Sequence, residues 1–553
     1  MLGAIVVLCA LVAPWGNIPR DQADTAGMLA HLHAFFVDAD LLYDDEYRAL
    51  GMSPLFGFVT DEGVVSNHWP AGATWLQAPG YGLGCAAATG LAGLGIGHGD
   101  SMGVIAVLGV RTWAVLVLVA MAWGTARLCA ARSERPEGVA RRMGWAIAAT
   151  FVFGTPLFYY AAEAPLRPHL WGSALTLVVV ALWWRPPGRE PEPGESTVWR
   201  TVAMAAVAGL ATYVRPQLAP LWLLVIHDAW TPASEPRAGR ARRVLLGTAV
   251  FAVFPLAHLR MQRWMYGPQL DRYLGDVTHH LGSLLLSTHH GLLPWCPVLA
   301  LGLLAMARSA ALRERGAWIL LAIVLWQLWL DSGMRPIEPR AVLGTRTWAG
   351  GVSFGPRKLV DVLPLLLPAA TSLASAASAR GLPRGLAVVV GLACMPTVLL
   401  HASAWLDPDA TTGGIMGSIE YRAALGRPLH AEAWSRAWSQ RALPVVVPLV
   451  LALVVALPLV LAAWLARLVA RRGAQPREPW RRAAVVALGG MLVVHGWLAV
   501  LLVRSDLARE AEPRRMIDAA ASMTPAHLAT VRRIQAHHQQ LRERLGPDAA
   551  PPQ

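Results

Sequence analysis

The chain of 553 residues is 55% hydrophobic and only 15% charged, with a mean hydropathy of +0.43. A soluble chain of this length needs more charge to cover its surface, so the composition excludes an ordinary soluble enzyme and points to an all-α polytopic membrane protein. The net charge of +13 is almost entirely arginine, Lys358 being the sole lysine, and it is spread over short connectors between apolar segments, a pattern that reports membrane orientation and not nucleic acid as a partner.

Residues 2–18 form the first apolar segment. It lacks a basic n-region and a clear small-residue cleavage site, so it reads as a retained first crossing rather than a signal peptide. The longest polar interval follows, Arg20–Pro70, crowded with Asp21, Asp24, Asp38, Asp40, Asp44, Asp45, Glu46, Asp61 and Glu62. Asp21 fits an N-cap and Asp24 the first turn of a helix whose apolar side carries Met28, Leu29, Leu32, Phe35 and Phe36. That structural role alone explains both carboxylates, and it also fixes them rigidly.

Further apolar segments occupy residues 73–95, 102–129, 143–161, 170–184, 201–214, 218–230, 244–259, 292–307, 317–330, 359–377, 386–403, 443–468 and 483–503. Arginine-rich connectors (127–142, 185–200, 237–243, 308–315, 380–384, 467–482) alternate with arginine-poor or longer ones (163–168, 215–217, 261–290, 331–357, 404–440). The first set is expected to be cytoplasmic. On that parity residues 73–95, with Pro79 and six glycines, cannot be a complete crossing, and either dip in and return or lie against the outer face. About thirteen crossings result, with the N-terminus inside and the C-terminus outside.

Three regions are expected. Residues 1–403 form a transmembrane module with a first external loop, 19–101, carrying juxtamembrane helices. Residues 404–503 form a C-terminal membrane region with an external loop, 404–441. Residues 504–553 are a polar tail, in which Thr524-Pro525 starts an amphipathic helix. Cys9, Cys85, Cys129, Cys296 and Cys394 lie in apolar stretches without metal-ligand spacing, so neither disulfides nor a zinc site is expected from them.

His68, Glu163 and His169 fall at one expected membrane face, where ionisable side chains are functional candidates. Arg215, beside Pro216, and Arg357-Lys358, after Pro356, run against the positive-inside trend. Each sits at a helix terminus where a guanidinium suits a phosphate at headgroup level. No GxxxxGK[ST] loop points to nucleotide hydrolysis.

An ordered series of motifs carries a resemblance. It comprises Asp21 after the first crossing, Asp38-Ala39-Asp40-Leu41, Asp45-Glu46-Tyr47, and Asn67-His68-Trp69-Pro70-Ala71-Gly72. It continues with Gly154-Thr155-Pro156-Leu157-Phe158-Tyr159-Tyr160, His169, Arg215-Pro216-Gln217, His290-Gly291-Leu292-Leu293-Pro294-Trp295-Cys296-Pro297 and the run from Trp348 to Arg357. Together they resemble bacterial C-type (GT-C) membrane glycosyltransferases, in the superfamily of protein O-mannosyltransferases and lipid A aminoarabinose transferases. Arg20 and Gln22 stand beside Asp21 where that branch commonly has glycine.

The resemblance implies a GT-C-like fold in the bacterial inner membrane, with the active site facing the periplasm. It implies an inverting transfer of a sugar from a polyprenyl-phosphate donor to a glycan, lipid or protein acceptor. Asp21, with Asp24 as alternate, would be the base; His68, Glu163, His169, Arg215, Arg357 and Lys358 would bind substrate. Beyond the lipid-linked donor no cofactor is identified, and the need for a divalent metal is left open. A transporter or flippase of lipid-linked sugar and a non-catalytic membrane scaffold are the rival readings.

Overall fold

The computed structural model describes residues 23–50, 58–59, 65–67, 69–95, 99–184, 197–231, 236–266, 280–288, 290–312, 314, 316–333, 354–406, 418–433, 496–497 and 500–501. Asp21, His68, the first apolar segment and the expected helix of the C-terminal tail lie outside them. The described chain is mostly helical, with one short antiparallel pairing of β1 (Phe58–Val59) and β2 (Val65–Ser66). It divides into two compact units.

The smaller unit comprises Pro19–Trp69, Met261–Leu270 and His495–Gln553. Its described part starts with α1 (Ala23–His33), a single π turn (Ala34–Asp38) and α2 (Asp44–Ala49). Met28, Leu29, Leu32, Phe35, Leu41, Tyr43, Tyr47 and Trp69 are buried here, so the apolar side expected for the first helix does form a core. Gly27 lets the Trp69 ring lie against α1, since a Cβ there would stand 2.6 Å from Trp69 Cδ2.

The larger unit comprises Met1–Ile18, Pro70–Arg260 and Asp271–Val494. Its helices are α3 (Gly72–Gly93), α4 (Val104–Ala131), α5 (Glu137–Phe153), α6 (Leu157–Ala162), α7 (His169–Trp183), α8 (Thr197–Val214), α9 (Trp222–Trp230) and, up to Arg260, α10 (Arg237–Tyr266). They continue with α11 (Leu281–Leu286), α12 (Leu292–Trp295), α13 (Val298–Ala311), α14 (Ala317–Gly333), α15 (Leu367–Ala379), α16 (Pro383–Leu406) and α17 (Ser418–Gly426). Short 3-10 helices precede α9 (Pro216–Leu221) and α15 (Arg357–Leu366), and one follows α17 (Arg427–Leu429).

Among the described residues four helical stretches are long and apolar enough to cross a membrane: Val104–Ala131, Arg237–Arg263, Arg357–Ala379 and Pro383–Leu406. Four shorter apolar helices accompany them, His169–Trp183, Val198–Val214, Val298–Ala311 and Ala317–Gly333. Val388, Val389, Leu392 and Met395 on α16 are exposed, as are Trp318, Trp326 and Trp329 on α14. Large apolar side chains left this bare suit a lipid environment.

Several expected segments are subdivided. The 143–161 segment breaks at Gly154-Thr155-Pro156, where the proline caps α6. The 359–377 segment opens as a 3-10 helix containing Pro364 and becomes α-helical only from Leu367. Residues 73–95 do not dip in and return: α3 is one helix of 22 residues with Pro79 inside. It packs along α4 backbone to backbone. A Cβ on Gly109 would stand 2.6 Å from Gly84 N, and one on Gly84 would stand 2.8 Å from Ala106 Cα. Small residues four apart permit this approach.

Described members of the two sets of connectors lie at opposite ends of α7. At one end Arg135 Nη2 donates to Ser375 O (2.6 Å) and Ser372 Oγ to Glu314 Oε1 (2.9 Å). Arg200 Nε donates to Leu182 O (2.7 Å), its Nη2 pairs with Asp228 Oδ1 (3.0 Å), and Trp183 Nε1 donates to His227 Nδ1 (3.1 Å). At the other end lie His169, the 163–168 connector, Arg215 and the start of the Arg357–Leu366 helix.

Candidate functional site

The candidate site in the larger unit is built from element termini. His169 is the first residue of α7, Arg215 caps the Pro216–Leu221 helix, Asp331 lies near the end of α14, and Arg357 and Lys358 open the Arg357–Leu366 helix, one turn before Asp361. Asp361 is fully buried, with Oδ2 3.1 Å from Arg215 Nε and 3.6 Å from His169 Nδ1. Turned so that its oxygen accepts, the Gln217 amide also takes Arg215 Nε, at 2.7 Å. Asp331, likewise buried, accepts from Gln327 Nε2 at 3.0 Å and lies within electrostatic reach of Lys358.

Among the described residues, the cations Arg215, Arg357 and Lys358 thus gather with the carboxylates Asp361 and Asp331. Arg167, buried in the 163–168 connector, adds a fourth within electrostatic reach of His169. Glu163 ends α6 within similar reach of buried Arg111.

An aromatic shell holds the turn that delivers Arg357. Phe354 stacks on Tyr159 (centroids 4.6 Å, planes 12° apart) and on His401 (4.7 Å, 12°), and meets Trp295 edge-on at 5.1 Å. Tyr160 O–H donates to Phe354 O (3.0 Å), and His401 Nε2 donates to Thr155 O (2.9 Å). Gly355 then turns through a left-handed conformation (φ 61°) that glycine adopts without strain. The Gly154–Tyr160, His290–Pro297 and Phe354–Arg357 stretches, far apart in sequence, meet here. Gly291 to Trp295 contribute α12, and Cys296 Sγ donates to Gly154 O at 3.0 Å.

In the smaller unit Asp24 lies in the first turn of α1, and its Oδ1 accepts from Trp69 Nε1 at 2.9 Å. Asn67 Nδ2 donates to Gly27 O (2.6 Å), while Asn67 Oδ1 accepts from Trp69 N–H (3.2 Å). Asn67 and Trp69 are thereby stapled to the helix that bears Asp24. His31 completes the staple: Nε2 donates to Trp69 O and Nδ1 accepts from Tyr43 O–H, both at 2.8 Å. Burial pushes the Asp40 carboxyl up to about 6, helped by Asp38, Asp45 and Asp44. Burial, with Asp45 alongside, also raises Glu46 well above the usual carboxylate range.

His169, Arg215, Arg357 and Lys358 are brought together, with Glu163 on the neighbouring helix end. Sequence reasoning missed Asp361, Asp331, Gln327, Arg167 and Arg111. The available signal was a lone ionisable side chain within or just beyond an apolar run, which at membrane depth marks a partner or a ligand. No family model, no curated protein and no solved structure matches the chain.

Proposed function

We propose that the chain is an integral membrane glycosyltransferase using a polyprenyl-phosphate sugar donor, with the donor phosphate bound by Arg215, Arg357 and Lys358. The observation that carries this reading is the convergence of Arg215, Arg357 and Lys358 on a junction of helix ends that holds two buried carboxylates. Arg215 and Arg357 also fall within the ordered motif series, and Lys358 directly follows it. Guanidinium and ammonium donors fixed in a dry site stabilise charge developing on a leaving phosphate. By the resemblance, Asp21 or Asp24 would take the proton of the acceptor hydroxyl. The acceptor oxygen then bonds to the anomeric carbon as the bond from that carbon to the phosphate oxygen breaks, inverting the centre. The arginine-rich connectors face the cytoplasm and the site faces the periplasm in this reading.

The test is sugar transfer from polyprenyl-phosphate sugars by the purified protein in detergent, alongside donor binding. Asp24→Asn keeps an oxygen for Trp69 Nε1 and loses basicity. If Asp24 is the base, turnover falls about 10²- to 10⁴-fold with donor binding retained; Asp21→Asn does so if Asp21 is. Arg357→Ala weakens donor binding roughly 10²-fold. Movement of the donor across vesicles without transfer supports the flippase reading instead, and absence of donor binding overturns the assignment of the phosphate site.

A further inference from the structure

The end of α1 departs from a regular helix. After His33 the chain makes a wide π turn, Ala34–Asp38, and leaves it through Ala39 in a left-handed conformation (φ 56°), with Asp40 N–H donating to Ala34 O at 2.9 Å. The extra residue in the turn returns Asp38 to His33. The first turn of α2 brings Glu46 to the same point. His33 Nδ1 lies 2.7 Å from Asp38 Oδ2 and 3.4 Å from Glu46 Oε1, and the three atoms lie within 4.8 Å of one another.

One imidazole nitrogen carries at most one proton, yet two carboxylates converge on it. A proton there hydrogen-bonds Glu46 Oε1 and leaves Asp38 Oδ2, although only 2.7 Å away, without a hydrogen bond. The Glu46 side chain is 0% exposed, and its Oε2 has no hydrogen-bond partner. Burying a carboxylate oxygen without a donor is costly. Among the described residues Asp45 and Asp38 add negative charge beside Glu46, and Arg48 pairs with Asp44, 3.8 Å away.

We propose that His33, Asp38 and Glu46 form a binding site for a divalent first-row transition cation such as zinc or manganese. One imidazole nitrogen with two carboxylate oxygens suits these ions, whereas magnesium and calcium prefer oxygen alone. Ligand atoms about 2.1 Å from a tetrahedral zinc ion stand roughly 3.4 Å apart. The Glu46 separation already has this value, and a small opening of the His33–Asp38 contact gives the rest. The Asp38 side chain is 30% exposed, which leaves an outer side where water or a ligand completes the coordination. The cation ties the end of α1 to the start of α2 whatever reaction the chain performs.

The test is metal binding by the full-length protein, stripped with chelator and purified in detergent. Titration with zinc and with manganese against a competing chelator is expected to show one ion per chain, and cobalt to give the d–d bands of nitrogen and oxygen ligation. Glu46→Gln, nearly isosteric, weakens zinc binding by about 10²-fold or more, beyond the roughly 10- to 100-fold loss expected of a residue that only supports a ligand. Asp44→Asn, in the same acidic run but outside the triad, leaves binding unchanged. Size-exclusion profiles and melting temperatures without metal identify a Glu46→Gln chain that has misfolded. His33→Gln, which keeps a polar side chain, then serves as the second ligand variant. No bound ion in the wild-type chain, or equal binding in folded Glu46→Gln and His33→Gln chains, overturns the proposal and leaves a histidine–carboxylate ion pair only.

Discussion

Gly172 decides whether Asp361 can reach Arg215. It lies one turn after His169 on α7, and a Cβ there would stand 3.1 Å from Asp361 Cγ and 3.3 Å from Arg215 Cγ. Gly172→Ala is therefore expected to displace the carboxylate and separate the pair. Breaking a buried ion pair costs about 3–5 kcal/mol, so the melting temperature in detergent should fall clearly. An unchanged melting temperature would show that the cluster tolerates the methyl group. Neither Gly172 nor Asp361 is conspicuous in the sequence. Asp361 contacts residues 146 and 192 positions away (Arg215 and His169), so no local periodicity records the pairing. Arg215, Arg357 and Lys358 were legible because each is a cation beside a proline or a helix boundary, which is a local feature.

At the scale of elements, α3 and α4 show how glycine content maps onto contact. Gly80, Gly84 and Gly109 lie where backbones touch, while a Cβ on Gly82 or Gly90 would meet nothing within 4 Å. Gly109→Ala is expected to force the helices apart, at about 1–3 kcal/mol. Gly82→Ala is expected to be neutral or to stabilise by up to about 1 kcal/mol, because alanine is the better helix former. Thermal melts of the two variants side by side check both. Equal effects would mean that the crossing is looser than its geometry. Sequence reading took the same glycines as the mark of an irregular segment, because glycine lowers helix propensity and its value at a close helix crossing depends on a partner helix. Similarly, the breaks at Gly154-Thr155-Pro156 and around Pro364 were present as prolines, but hydropathy runs straight through them.

For the whole larger unit, the alternation of connectors was the most legible property. Charge composition alone separated the two sets, and contacts such as Arg135 with Ser375 and Glu314 with Ser372 gather members of the arginine-rich set at one end. Orientation in a bilayer follows as a prediction. In a chain with its native cysteines replaced by alanine, Arg240→Cys and Gly381→Cys should be shielded from an impermeant thiol reagent in intact cells. Leu286→Cys, at an exposed position of the opposite set, should be labelled. Equal labelling of all three would remove the basis for an outward-facing site. The number of crossings was less legible, since prolines subdivide apolar runs into helices too short to span alone.

The Arg215–Asp361–His169 junction also bears on how such a chain is assembled. Its members arrive on separate segments, synthesised at different times, and none can be neutralised before the last is threaded. With one member held away from the other, Arg215 or Asp361 lacks its partner, and an unpartnered buried charge costs about 3–5 kcal/mol. The pair thus favours the one arrangement of distant segments in which its charges meet.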